Sequence, residues 1–190
     1  MGRPERKQER YTYADYLTWE GGERCELIDG VPYMMASPSQ RHQEILVEMG
    51  RQFANFLRGK PCKVFTSSFD VRLYPDSDDN TVVQPDLLVV CDQSKLDGKA
   101  CNGAPDFVVE IVSPSTSRND RVLKLTHYQW AGVEEYWIVY PEDATVEKYV
   151  LRDSAYVNGG RYTESEIIPV SILPGLEINL AEVFGEVVEP

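Results

Sequence analysis

Two runs of β-forming residues, Leu87-Leu88-Val89-Val90 and Phe107-Val108-Val109-Glu110-Ile111-Val112, are each marked by one carboxylate. Asp86 enters the first behind Gln84-Pro85, and Glu110 interrupts the second. Runs this apolar belong in strands buried on both faces. An ionised carboxylate in such a sheet costs several kcal/mol unless a cation, hydrogen bonds or a metal ion meets it. Each residue has a structural alternative: Asp86 could cap a strand entrance, and Glu110 could close a buried ion pair with an arginine. Their joint placement favours a functional site.

Residues 92–104 between the runs are polar and rich in Asp, Gly, Asn and Lys, which predicts an antiparallel pair closed by a long loop. Facing residues of an antiparallel ladder have indices of constant sum, so a fold about Gly98 sets Asp86 opposite Glu110. Their Cβ atoms would then lie roughly 5 Å apart. A divalent cation is the economical way to hold two like charges that close. An all-oxygen donor set points to a hard ion, Mg²⁺ or Mn²⁺.

The chain of 190 residues fits a single domain over residues 11–190 behind a polar, charged arm, 1–10, expected to be disordered. No apolar run approaches the ~20 residues that span a bilayer, and the N-terminus has no apolar signal core. The expectation is a cytoplasmic protein without membrane contact. Cys25, Cys62, Cys91 and Cys101 show no Cys-x-x-Cys spacing and no neighbouring histidines, which predicts free thiols rather than zinc or a redox pair. A net charge of −12 opposes non-specific binding to nucleic acid.

Local signals order the rest. Thr12 starts a short helix over 12–19, and Asp29-Gly30 turns a hairpin over 26–35. Apolar residues at Ile45, Leu46, Met49, Phe53, Phe56 and Leu57 recur at helical spacing over 39–57, with Gly59 as the stop. Strands are expected at 62–66, 69–74, 82–90 and 107–112, then a helix over 117–131 ended by Gly132. Further strands follow at 135–140 and 145–151, then a tail of short strands and irregular chain through Tyr162, Ile167-Ile168 and Leu176, and a helical turn at 180–184. The order predicts an α/β (α+β) fold: a mixed sheet flanked by helices, with an extra N-terminal hairpin and a C-terminal β-rich tail.

Pro85-Asp86, followed at a distance by Glu110-Ile111-Val112, resembles the PD-(D/E)XK nuclease superfamily. The stretch Gly103-Ala104-Pro105-Asp106-Phe107-Val108-Val109-Glu110-Ile111-Val112-Ser113-Pro114-Ser115-Thr116 resembles the Uma-type restriction endonuclease family more closely. It continues to Asp120, Lys124, Tyr128 and Ala131-Gly132-Val133-Glu134-Glu135-Tyr136-Trp137. The match also takes in Glu26-Leu27-Ile28-Asp29-Gly30 and Ser37-Pro38-Ser39 with His42. The resemblance implies a restriction-endonuclease-like fold, phosphodiester hydrolysis in DNA and a bound Mg²⁺ or Mn²⁺. The superfamily lysine, two residues after Glu110, is replaced here by Val112. The resemblance moves that role to Lys124 on the next helix.

The implied metal ligands are Asp86, Glu110 and the backbone carbonyl of Ile111. Lys124 would orient water or meet developing charge, or else form an ordinary exposed pair with Asp120. Glu26 would add an oxygen ligand, or face solvent on its hairpin. His42 and Asp120 are accessory candidates, and Gln84 approaches the site. His127, Trp130 and Trp137 read as packing. Ser113-Pro114-Ser115-Thr116 offers a helix cap or a phosphate contact. Arg41, Arg51, Arg118 and Arg121 are candidates for contacts to the DNA backbone. Two alternatives stay open: hydrolysis of another phosphate ester, RNA or a nucleotide, and an inactive dimeric interaction module. A homodimer is expected in either case.

Overall fold

The computed structural model describes residues 10–19, 24–112 and 119–185, and gives only the backbone of residues 119–121. The elements run α1 (Tyr13–Tyr16), β1 (Cys25–Ile28), β2 (Val31–Met34), α2 (Gln40–Leu57), β3 (Lys63–Thr66), β4 (Asp70–Arg72), β5 (Val82–Val83) and β6 (Leu87–Val90). They continue through β7 (Ala100–Asn102), β8 (Phe107–Ile111), a π-helical turn (Asn119–Lys124), α3 (Leu125–Ala131), β9 (Glu135–Tyr140), β10 (Thr145–Arg152) and β11 (Ala155–Thr163). The last are β12 (Ile167–Pro169), β13 (Glu177–Asn179) and α4 (Leu180–Phe184). The arm 1–9, the segment 113–116 and Arg118 lie outside the described residues, as do the side chains of Asp120 and Arg121.

The main sheet has six strands in the order β11-β10-β9-β8-β6-β3, parallel between β8 and β9 and antiparallel elsewhere. A five-stranded sheet, β2-β1-β5-β4-β7, lies beside it, and β12 pairs with β13 alone. Side chains alternate across the main sheet. Leu87, Val89, Phe107, Val109, Trp137 and Val139 meet α2 and the C-terminal segment through Met49, Phe53, Ile178 and Phe184. Leu88, Val90, Val108, Tyr136 and Ile138 pack with Tyr128 of α3 and with Val71 and Val83 of the smaller sheet.

Local chemistry accounts for the elements that matter to the site. Thr12 caps α1 in a reciprocal box with Asp15, and Ser39 caps α2 by accepting from His42 N–H. Asp29 and Gly30 both take positive φ, 51° and 76°, the primed turn that a two-residue hairpin needs. In the β6–β8 ladder Leu87 faces Val109 and Leu88 faces Val108, so the same register carried one step further sets Asp86 opposite Glu110.

Four sequence expectations differ from the structure. The expected strand 82–90 is two strands in two sheets, because Gln84-Pro85 removes a ladder donor and lets β5 pair with β1 and β4. Residues 92–104 are not a plain loop: β7 forms there by pairing parallel to β4. Trp130, read as packing, is 70% exposed, whereas His127 and Trp137 are buried. Cys62 and Cys91 form a disulfide, whereas Cys25 and Cys101 are buried and not disulfide-bonded. The register Lys63↔Val90 brings those two cysteines face to face across β3 and β6, which their 29-residue separation does not reveal.

Burial raises the hydroxyl pKa of Tyr16, Tyr128 and Tyr156, and pushes Tyr74 up to about 12. The folded chain therefore holds these protons above pH 10, where the unfolded chain has begun to release them. Their contribution to stability is complete below pH 10 and is lost as pH rises towards the folded values. Alkaline titration followed by phenolate absorbance and far-UV dichroism together will show these tyrosines ionising only as the fold is lost. Smooth ionisation of all the tyrosines near pH 10 with the fold intact would contradict it.

Candidate active site

The site lies at one end of the main sheet, where Asp86 precedes β6 and Glu110 sits near the end of β8. Asp86 Oδ2 accepts from Ile111 N–H at 2.7 Å, which fixes the carboxylate against the backbone of β8. His42 in the first turn of α2 brings Nε2 to 3.2 Å from Asp86 Oδ1. With Nε2–H donating, Nδ1 is a bare acceptor, and it is buried without a hydrogen-bond partner among the described residues.

A second cluster surrounds Glu110. Lys124 Nζ lies 2.9 Å from Glu110 Oε1 and 2.9 Å from Glu26 Oε1. All three residues are at most 5% exposed. Glu26 comes from β1 of the smaller sheet, and its Oε1 also accepts the Gln84 N–H at 2.7 Å. The Tyr128 hydroxyl donates to Glu110 Oε1 at 2.7 Å. Complete burial, followed by the charges of Glu110 and Glu26, holds its pKa well above the ordinary value, so it stays a donor.

The structure thus brings Glu26, Asp86, Glu110 and Lys124 to one end of the sheet, with His42 and Gln84 beside them. Glu26 does not face solvent, and Lys124 is not exposed: its ammonium is buried against two carboxylates. Tyr128 went unassigned in the sequence although its signal was there: it follows Lys124 by four positions, the spacing that places two helical side chains on one face. Two of the arginines expected to meet DNA are occupied. Arg41 donates to the Phe184 carbonyl and lies 3.7 Å from Glu44, and Arg51 binds Glu48 and Glu182.

Among the described residues no three His, Cys, Asp or Glu side chains are grouped so that they could hold a metal ion by themselves. The donor chemistry still suits a hard cation. Asp86, Glu110 and the Ile111 carbonyl would offer two carboxylates and a carbonyl. Mg²⁺ is usually bound through one or two carboxylates, with water and substrate phosphate completing its shell.

The chain matches the family model "Uma2: Putative restriction endonuclease" over residues 13–181. It is 29% identical over 142 residues to Uncharacterized protein slr1290 of Synechocystis sp., the match covering 73% of each chain. It is similar in fold to a crystal structure from Anabaena variabilis described as a putative nuclease belonging to DUF820. That likeness has a TM-score of 0.73 at 18% identity and covers 92% of this chain and 97% of the other. No helix among the described residues is long and apolar enough to cross a membrane. With carboxylates and a lysine converging at the end of a mixed sheet, and a family match over most of its length, the chain belongs to the Uma2 family.

Proposed function

We propose that this chain is an endonuclease that hydrolyses phosphodiester bonds in DNA with Mg²⁺ or Mn²⁺. The observation that carries the reading is that Glu26 and Glu110 share one buried ammonium, that of Lys124, at the end of the sheet where Asp86 is held by a backbone amide and a histidine. Two carboxylates, Asp86 and Glu110, with the Ile111 carbonyl make the kind of all-oxygen donor set that a hard divalent cation takes.

Asp86, Glu110 and the Ile111 carbonyl would hold the ion, which when bound polarises phosphate and acidifies water. The Ile111 N–H keeps Asp86 aimed, and His42 fixes its second oxygen. Lys124 holds its ammonium beside Glu110, where it can donate to a water or to a phosphate oxygen as negative charge builds. Glu26 keeps that ammonium in place, and Tyr128 fixes the rotamer of Glu110.

Asp86→Ala tests the reading. The substitution is expected to abolish Mg²⁺-dependent cleavage of a DNA duplex while the circular dichroism stays that of the wild type. Full activity in the folded variant would sink it. A second phosphate-ester substrate, RNA or a nucleotide, is favoured by one specific observation: Arg41 and Arg51 are engaged by acidic partners or a backbone carbonyl in a chain of net charge −12. A panel of DNA, RNA and nucleotide substrates separates the two.

A further inference from the structure

An acidic chain binds a phosphate backbone only where its cations are left unneutralised. Arg51, Arg72 and Arg161 are each met by carboxylates: Glu48 and Glu182, Asp79, and Asp143. Arg24 is different. Its guanidinium donates from Nε and Nη2 to Gln84 Oε1, at 3.4 and 3.3 Å, and among the described residues its partner is this neutral amide.

Its position is set by the sheet. The Arg24 carbonyl accepts from Met35 N–H at 2.9 Å, continuing the β1–β2 ladder by one step. Arg24 therefore stands two positions before Glu26, on the same face of the strand. Gln84 ties the two together. Its backbone N–H holds Glu26 Oε1, while its side-chain Nε2 donates to Asp70 Oδ1 at 2.8 Å and to the Tyr16 hydroxyl at 3.1 Å. With Nε2 so engaged, Oε1 is turned to Arg24. The Asp70 charge is met by Gln84 and by the Tyr16 hydroxyl. Arg24 is half-buried, so it keeps access to solvent, and a guanidinium has five N–H donors, more than this amide uses.

We infer that Arg24 binds a backbone phosphate of the substrate strand beside the Glu26–Lys124–Glu110 cluster, and that Gln84 positions it. This rests on the phosphodiester reading above. The fork geometry of guanidinium suits two phosphate oxygens, and the contact would read the backbone, not the bases.

The test is binding of a fluorescent DNA duplex over a range of salt concentrations, with Ca²⁺ in place of Mg²⁺ to hold off cleavage. Wild type, Arg24→Ala and Arg24→Lys are compared, alongside Mn²⁺ calorimetry. Arg24→Ala should bind about tenfold more weakly, with a logarithmic salt slope shallower by about 0.9, and should keep wild-type affinity for Mn²⁺. Arg24→Lys should keep the slope. Unchanged DNA affinity and slope in Arg24→Ala, with the wild type binding, would overturn the assignment and leave the nuclease reading standing. So would a matching loss of Mn²⁺ affinity, which would make Arg24 a prop of the carboxylate site. A wild type that binds no DNA would overturn both.

Discussion

Lys124→Met is expected to destabilise the fold by roughly 3–5 kcal/mol, the usual cost of removing one partner from a buried charge cluster. The ammonium is 3% exposed and lies 2.9 Å from both Glu26 and Glu110, themselves 5% and 4% exposed. Methionine fills most of the volume, so lost packing contributes little; what remains is two buried carboxylates without the cation that joins them. In a chain of this size that corresponds to a fall in melting temperature of roughly 6–20 °C. Adding Glu26→Gln should recover part of the loss, since one of the stranded charges is then gone. Denaturant titration of the two single variants and the double variant measures both effects. A loss under about 1 kcal/mol, or no recovery in the double variant, would show that the cluster is solvated and that Lys124 is not its counter-ion.

Lys148→Met should cost a similar amount, roughly 3–5 kcal/mol, in a second buried cluster whose Glu135 pairs with Phe107 of β8 and not with Glu110. Glu135 is fully buried and its carboxylate is saturated. Oε1 lies 3.1 Å from Lys148 Nζ and accepts from Trp137 Nε1 at 2.8 Å, while Oε2 accepts the backbone N–H of Ser171 at 2.7 Å and of Ile172 at 3.2 Å. Lys148 also donates to the Pro169 carbonyl. The pair thus pins the segment around residues 169–172 to the main sheet, where Ile168, Val170 and Leu173 join the α2-side core. Gly159 leaves room for the lysine stem, as a Cβ there would meet Lys148 Cγ at 2.9 Å. The variant should lose stability in denaturant while its Mn²⁺ affinity stays unchanged. A drop in both would mean that this pair and the candidate active site are coupled.

The contrast between these two Glu–Lys clusters shows what sequence can carry. Around Glu135 every carboxylate oxygen meets a donor, and the lysine balances the charge. Around Glu110 two acids, Glu110 and Glu26, share one lysine, and Asp86 stands just before the neighbouring strand with His42. Both glutamates lie in apolar strand runs, so hydrophobic patterning alone does not separate them. The constant-sum rule did fix the β6–β8 register, because it depends only on where the chain turns and survives the insertion of β7 into the connection. Helix α2 was legible from its apolar stripe and its Gly59 stop, and the first hairpin from Asp29-Gly30.

Other features depend on partners distant in sequence. Glu26 and Lys124 were identified through the family resemblance; nothing in their own neighbourhoods says that β1 and the helix after β8 converge. Residues 82–90 read locally as one strand, but β5 finds its partners in the smaller sheet. β7 lies in a polar stretch and exists because β4 offers an edge, a case of tertiary pairing prevailing over propensity. The Cys62–Cys91 disulfide follows from a register that no cysteine spacing encodes.

Under the reading proposed above, the acids at the end of β6 and β8 form a divalent-cation site. Calorimetric titration of Mn²⁺ into the wild type and into the double variant Asp86→Ala, Glu110→Ala tests it without any assumption about the substrate. Binding by the wild type is expected to vanish in the folded double variant. Undiminished binding in that variant, or no binding by the wild type at millimolar Mn²⁺ with a DNA duplex present, would contradict it.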